Sequence, residues 1–129
     1  MFERPQVMAI ASALAEHAAA RQSAISRNVA NADTPGYRAV DIMDFAAAYR
    51  TEAEISLRQT RPGHIPPSAT GLANAAVETA PSGHLSPNGN SVSLESEMVK
   101  AAETRKDHDL ALAVYRKSLD ILRASIGRR

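Results

Sequence analysis

The chain has no cysteine and no tryptophan, and its 129 residues include only two phenylalanines and three tyrosines. Without cysteine there is neither a disulfide nor thiolate chemistry, an absence compatible with any compartment. So few aromatic anchors speak against a globule built around bulky side chains and favour helices packed closely along their length. Charge of one sign is also lacking: fifteen basic residues face fourteen acidic ones, for a net charge of +1. They are interspersed, which argues against a nucleic-acid groove or a polybasic membrane patch. No stretch approaches the ~20 apolar residues of a membrane span. The first ten residues, MFERPQVMAI, hold no apolar run of the signal-peptide kind, so any export is expected to use another route.

What the chain has in abundance is alanine, 25 residues of it, within a hydrophobic content of 44%. That is enough for a core, but a thin one, and the length predicts a single elongated domain. Proline and glycine then divide the sequence. Six of seven prolines and five of six glycines lie between Pro35 and Gly89. The flanks, Glu3 to Ala32 and Asn90 to Ile126, are almost free of both and are expected to be helices. The fold class expected is mainly α: two long terminal helices packed as a coiled-coil-like pair, joined by a Pro/Gly-rich, largely irregular middle segment with one short helix. In this division residues 1–32 and 90–129 form the helical part and 33–89 the middle.

The C-terminal arm has the clearer period. Leu94, Met98, Ala101, Arg105, His108, Leu112, Tyr115, Leu119, Leu122 and Ile126 follow one another at alternating steps of four and three. That heptad spacing keeps one stripe facing a partner. Ser91 and Ser93 are candidate caps, Glu95 and Glu97 suit the positive end of the helix dipole, and Gly127 provides a stop. At ~1.5 Å per residue such a helix runs to ~50 Å, too long for a compact domain of this size. The N-terminal arm carries a weaker stripe of Val7, Ile10, Leu14, Ala18, Arg21, Ile25 and Val29, with Pro5 acceptable at its start. The two arms are expected to pack together and to leave apolar surface for neighbouring copies. Ile10, Leu14, Ile25, Leu94, Met98, Leu112, Tyr115, Leu119, Leu122 and Ile126 are the candidate assembly seam.

In the middle a short helix is expected from about Asp41 to Ile55, with Ile42, Phe45 and Tyr49 on one side. Short strands are possible at Ser56 to Thr60 or Ala75 to Thr79. Catalytic and metal chemistry finds little support. Asp107, His108 and Asp109 are consecutive on a helix and point in different directions, so a solvated face explains them better than a metal site. His108, with Arg105, interrupts the apolar stripe, either to specify register or as a plain polar break. His64 and His84 lack ligands at metal spacing. GHLSPNGNS lacks the Gly-Lys-Ser/Thr ending of a phosphate loop. No cofactor, nucleic acid or small-molecule substrate is expected, and the chain does not read as an enzyme.

The densest punctuation is NVANADTPGYRA, residues 28 to 39. Thr34 precedes a proline and is pushed out of the α region, and Pro35 and Gly36 suit the central positions of a type II turn. Asn28, Asn31 and Asp33 can satisfy backbone groups orphaned at a helix end. The wider stretch SRNVANADTPGYRAVD resembles the signature of flagellar rod, hook and hook-associated proteins, in which a helix ends in Asn-x-x-Asn-x-x-Thr-Pro-Gly-Tyr. Asn28, Asn31, Thr34, Pro35, Gly36 and Tyr37 all fit it. Within that family, LRQTRPGHI (Leu57 to Ile65), NSVSLESEMVK (Asn90 to Lys100) and the short length are most similar to the proximal rod proteins. Ser93 departs from the acidic cap more usual there. A sister proximal rod protein shares the signature, but TRKDHDLALAVYRKSLDIL lacks its Tyr-Glu-x-Asn pattern.

The resemblance implies a structural subunit of the basal-body rod. Its implied partners are copies of itself, other rod proteins, adaptor and MS-ring components at the rod base, and the flagellar type III export apparatus. It implies a location in the rod, within the periplasmic space, reached without a cleaved signal peptide. The turn would end the N-terminal helix and redirect the chain outward.

Overall fold

The computed structural model describes residues 5–54, 76–78 and 85–127. Helix α1 (Gln6–Ala30) leads through the signature turn to strand β1 (Val40–Ile42) and helix α2 (Phe45–Glu54); strand β2 (Ala76–Glu78) and helix α3 (Leu94–Ile126) follow. The fold is mainly helical, with the two long helices packed against each other. Residues 55–75 and 79–84 of the proline- and glycine-rich middle, which include Ser56 to Thr60, His64 and His84, lie outside the described residues.

The helices run antiparallel. Asn28 in the last turn of α1 meets Glu97 in the first turn of α3, and Ala18, further back along α1, lies beside Ala101 to His108, further forward along α3. Pro5 stands at the N-cap of α1, where its carbonyl accepts from the amides of Met8 and Ala9. Its missing N–H costs nothing there. On α1 the inward residues are Met8, Ala11, Ala18, Ile25 and Asn28, with His17 and Ala24 buried alongside; on α3 they are Glu97, Thr104 and Ala111. Ala11, Ala18 and Ile25 repeat every seven residues, as do Glu97, Thr104 and Ala111. This is the spacing of a coiled-coil seam filled with small residues, which let the helices approach closely.

The seam on α3 therefore lies about one position away from the stripe of largest side chains. Leu94 is 51% exposed, Met98 71% and Ile126 83%. Tyr115 is exposed, whereas Leu112, Leu119 and Leu122 are half-buried. On α1, Leu14 is half-buried and Ile25 is buried, but Val7, Ile10 and Val29 are exposed. The displacement has a physical cause: Glu97 is held inside by Asn28 and Lys100, and the small side chains of Thr104 and Ala111 allow close approach, so the helix turns that face inward and carries its larger apolar residues to the flank.

The expected helix from Asp41 begins later. Residues 40–42 form a strand instead, in which Val40, Asp41 and Ile42 pair with Glu78, Val77 and Ala76 of β2 in antiparallel register. The backbone of Val40 is also claimed by Asn28, as described below, so it is unavailable to a helix. Residues 76–78 thus form the second of the two strands considered from sequence. Among the described side chains of α2, Ala48 is buried, Phe45 half-buried and Tyr49 exposed. Phe45 stacks edge-on against His17, centroids 5.5 Å apart, and His17 Nε2 lies 2.7 Å from the Met43 carbonyl. Because a carbonyl only accepts, that nitrogen carries the proton.

Candidate functional site: the clamp around the signature turn

Thr34, Pro35, Gly36 and Tyr37 form the expected turn. The Tyr37 amide donates to the Thr34 carbonyl at 3.3 Å, and Gly36 has φ +71°. A Cβ at Gly36 would find nothing within 4 Å among the described residues, so the positive φ is what calls for glycine there. The turn packs against a second one: the Gly36 amide donates to the Asn88 carbonyl at 3.0 Å, and Gly89, also at positive φ, approaches Gly36 closely.

Asn28 is fully buried and uses its whole amide. Its Nδ2 donates to the Val40 carbonyl at 2.7 Å and to Glu97 Oε2 at 2.9 Å; its Oδ1 accepts from the Val40 amide at 3.0 Å and the Tyr37 hydroxyl at 3.3 Å. Its side chain pairs with Val40 as a neighbouring strand would, and it ties α1, β1 and α3 at one point. Asn31 acts locally: its Nδ2 donates to the Arg27 carbonyl and its Oδ1 accepts from the Thr34 hydroxyl.

The last carbonyls of α1 accept from the Asn31 and Ala32 amides, and the carbonyls of the turn that follows are gathered from across the chain. Asn90 is 1% exposed, and its Nδ2 reaches the carbonyls of Asn31, Ala32 and Thr34 at 2.9, 2.7 and 3.0 Å, while its Oδ1 accepts from the Val92 amide. A residue almost sixty positions away thus ties down the signature turn just past the end of α1. Sequence reasoning placed Asn90 only as the start of the C-terminal arm. Ser91 is engaged likewise: its Oγ accepts from the Ala39 amide, and its own amide donates to the Tyr37 carbonyl. Ser93 occupies the N-cap of α3 but makes no side-chain cap bond, so neither serine caps α3 through its hydroxyl.

Beside Asn28 runs a ladder of charge. Arg21 bonds both carboxylate oxygens of Asp41, at 3.1 and 3.4 Å. Lys100 Nζ lies 3.3 Å from Asp41 and 3.0 Å from Glu97. Burial pushes the Asp41 carboxyl up, but the hydrogen bonds from Arg21 and the Ile42 amide, with the charges of Arg21 and Lys100, outweigh it and hold it below the ordinary carboxylate value. Arg21 and Lys100 are desolvated too, yet their acidic partners keep both above their ordinary values. Among the described residues every buried side-chain nitrogen and oxygen has a partner. The network is satisfied throughout, the condition under which buried polar groups specify one arrangement.

The arrangement joins α1, the signature turn, β1 and the start of α3. His108 and Arg105 lie apart from the clamp, lining an open hollow between α1 and α3 with Ala18, Ala19, Gln22 and Ala101. Asp107 and Asp109 share that stretch of α3, and no cluster among the described residues could hold a metal ion.

Residues 10–38, most of α1 and the signature turn, match the family described as flagella basal body rod protein. The chain is 35% identical over 109 residues to the flagellar basal body rod protein FlgB of Agrobacterium fabrum, covering 81% of each. It is 31% identical over 103 residues to the FlgB of Escherichia coli, covering 74% of each, and 30% identical over 109 residues to that of Salmonella typhimurium, covering 78% of each. With the signature residues built into the clamp and agreement over most of the chain at this level, the protein belongs to the FlgB family of flagellar basal body rod proteins.

Proposed function

We propose that the chain is a structural subunit of the proximal rod, the drive shaft of the flagellar basal body, and that it assembles by helix packing with copies of itself and with other rod proteins. Adaptor and MS-ring components at the rod base are its further partners. The type III export apparatus carries it to the periplasmic space without a cleaved signal peptide. It is not an enzyme. Residues 1–32 and 90–129 supply the packed helices of the rod wall, and 33–89 the outward segment.

The observation that carries this reading is the uncovered flank of α3. Leu94, Met98 and Ile126 are each more than half exposed, with half-buried Leu112, Leu119 and Leu122 between them along the same stripe. A helix whose largest apolar residues sit beside the intrachain seam has its packing completed by a neighbour. The test is complementation: in cells lacking their own copy of the gene, the chain should restore hooks and filaments. Met98→Glu, which alters an exposed residue, should fold normally and fail to restore them. Full restoration by Met98→Glu would remove this flank from the assembly.

A further inference from the structure

The geometry points to Asn88 as a site of spontaneous deamidation, with the folded clamp holding its reaction in check. The inference goes beyond the rod assignment and does not rest on it. Of the asparagines in the sequence only Asn88 precedes a glycine. Both Asn88 and Gly89 are exposed to water. A following glycine has no side chain to hinder its nitrogen, so a ring can close there most readily.

The reaction balances with water alone. The Gly89 backbone nitrogen loses its proton and attacks Cγ of Asn88. The C–N bond to the side-chain amide breaks, and that nitrogen leaves with a proton as ammonia. The resulting succinimide is opened by water at either carbonyl, giving Asp or isoAsp. The fold acts on both reactants. Asn88 Oδ1 accepts from the Asn90 amide at 3.1 Å, which draws electron density from Cγ and favours attack. The nucleophile is restrained: the Gly89 N–H donates to the Ser86 carbonyl at 2.8 Å, and the Asn88 carbonyl accepts from Gly36 at 3.0 Å. These are the two ends of one peptide unit. That unit must rotate to bring its nitrogen over Cγ, so the reaction waits until both bonds open.

The product bears on the signature turn. In isoAsp the main chain runs through Cβ and Cγ, one methylene longer, and the group that accepted from Gly36 becomes a free carboxylate on a branch. The contact between Gly36 and Gly89 can no longer close in the same register. A chain kept unfolded thus loses the capacity to form the clamp.

The test incubates the full-length chain at mildly alkaline pH, native and in urea, and follows Asp and isoAsp at position 88 by peptide mass spectrometry. In urea, Asn88 should convert well ahead of Asn90 in the same peptide, and Gly89→Ala in urea should slow it. In native buffer the rate should be lower by at least about tenfold. Gly36→Val, which weakens one end of the lock, should raise the native rate towards that in urea. Equal native and urea rates, or conversion in urea no faster at Asn88 than at Asn90, would overturn the proposal; a native rate unchanged by Gly36→Val would overturn the coupling to the turn.

Discussion

Asn28 donates its side-chain amide to Glu97 at 2.9 Å across 69 positions of sequence, joining the last turn of α1 to the first turn of α3. Both residues are almost wholly buried, and each has further partners: Val40 and Tyr37 for Asn28, Lys100 for Glu97. Removing one member of such a group costs more than the bond itself, because it leaves its partners buried and unsatisfied. Asn28→Ala should therefore lower stability by about 2–4 kcal/mol, read as a shift in the urea midpoint, and should fray the β1 pairing in amide exchange. A loss under half a kcal/mol would mean that water replaces the amide at no cost.

Gly36 tests the turn. Because no neighbour among the described residues would meet its Cβ, the effect of Gly36→Ala should be that of positive φ, about 1 kcal/mol. Gly36→Val should cost more, because a β-branched side chain tolerates this region less, and should impair motility at normal expression. Asn at the same position should be the mildest substitution. Thermal denaturation of the three variants would order them, and an equal loss for all three would point to something other than backbone conformation.

Asp41 gives the fold an acid limit. Its folded value lies below the ordinary 3.8, so its contribution to stability is complete above the unfolded value and is lost as pH falls through the folded one. The charges facing it are Arg21 and Lys100, with Glu97 across Lys100 and Asp44 and Glu103 near Arg21. Stability should therefore decline as pH falls below 3.8, and Asp41→Asn should flatten that part of the curve while lowering stability at neutral pH. Arg21 and Lys100, whose values are raised, contribute in the opposite window: fully below their unfolded values, and decreasingly as pH rises through the folded ones. Urea midpoints measured across pH would show whether the variant keeps the acid slope, a result at odds with this role for Asp41.

Order in the isolated chain should be graded. Amides around Asn28, Val40 and Glu97 should exchange slowest, and those near Val7, Ile10 and Ile121 to Ile126, where large apolar residues are exposed, fastest. Hydrogen exchange at low protein concentration would map the gradient. Uniform protection along both helices would describe a self-sufficient domain with no need of neighbours.

Leu119→Asp addresses assembly. Leu119 is half-buried beside the seam, and a charge there removes about 1.5–3 kcal/mol of apolar burial from any helix contact it makes. The variant should be made and exported but should build no hooks, whereas equivalent charges at Ser68 or Ser82 should be far milder. Electron microscopy of basal bodies would decide; normal rods from the Leu119 variant would shift assembly to the middle segment.

How far these features could be read in advance depended on the distance between partners. The turn at Pro35 and Gly36 is specified by adjacent residues, and the two long helices by an unbroken run of periodicity, so both were legible. The side of α3 facing α1 was not, because hydrophobic periodicity selects the largest apolar residues, while close helix approach selected Thr104 and Ala111, and Asn28 and Lys100 drew Glu97 inside. Asn90 was missed for the same reason. Nothing near it in sequence shows that its amide closes the turn following Ala30, although an asparagine between Gly89 and the first serine of a helical arm is a signal worth weighing. Asp41 and Ile42 were read as the start of a helix because the side chain that claims the neighbouring Val40 backbone sits twelve residues earlier.

The clamp also makes the helix pair mechanically unequal along its length. Near Asn28 and Asn90, short polar bonds cross between segments in several directions, so twisting one helix about the other must strain many of them together. Along Ala11, Ala18 and Ala111 the contact is between small apolar side chains, which resist separation but offer few directional bonds against sliding. Torque applied to such a pair meets its stiffest resistance at the clamped end and is taken up as slip towards the free one.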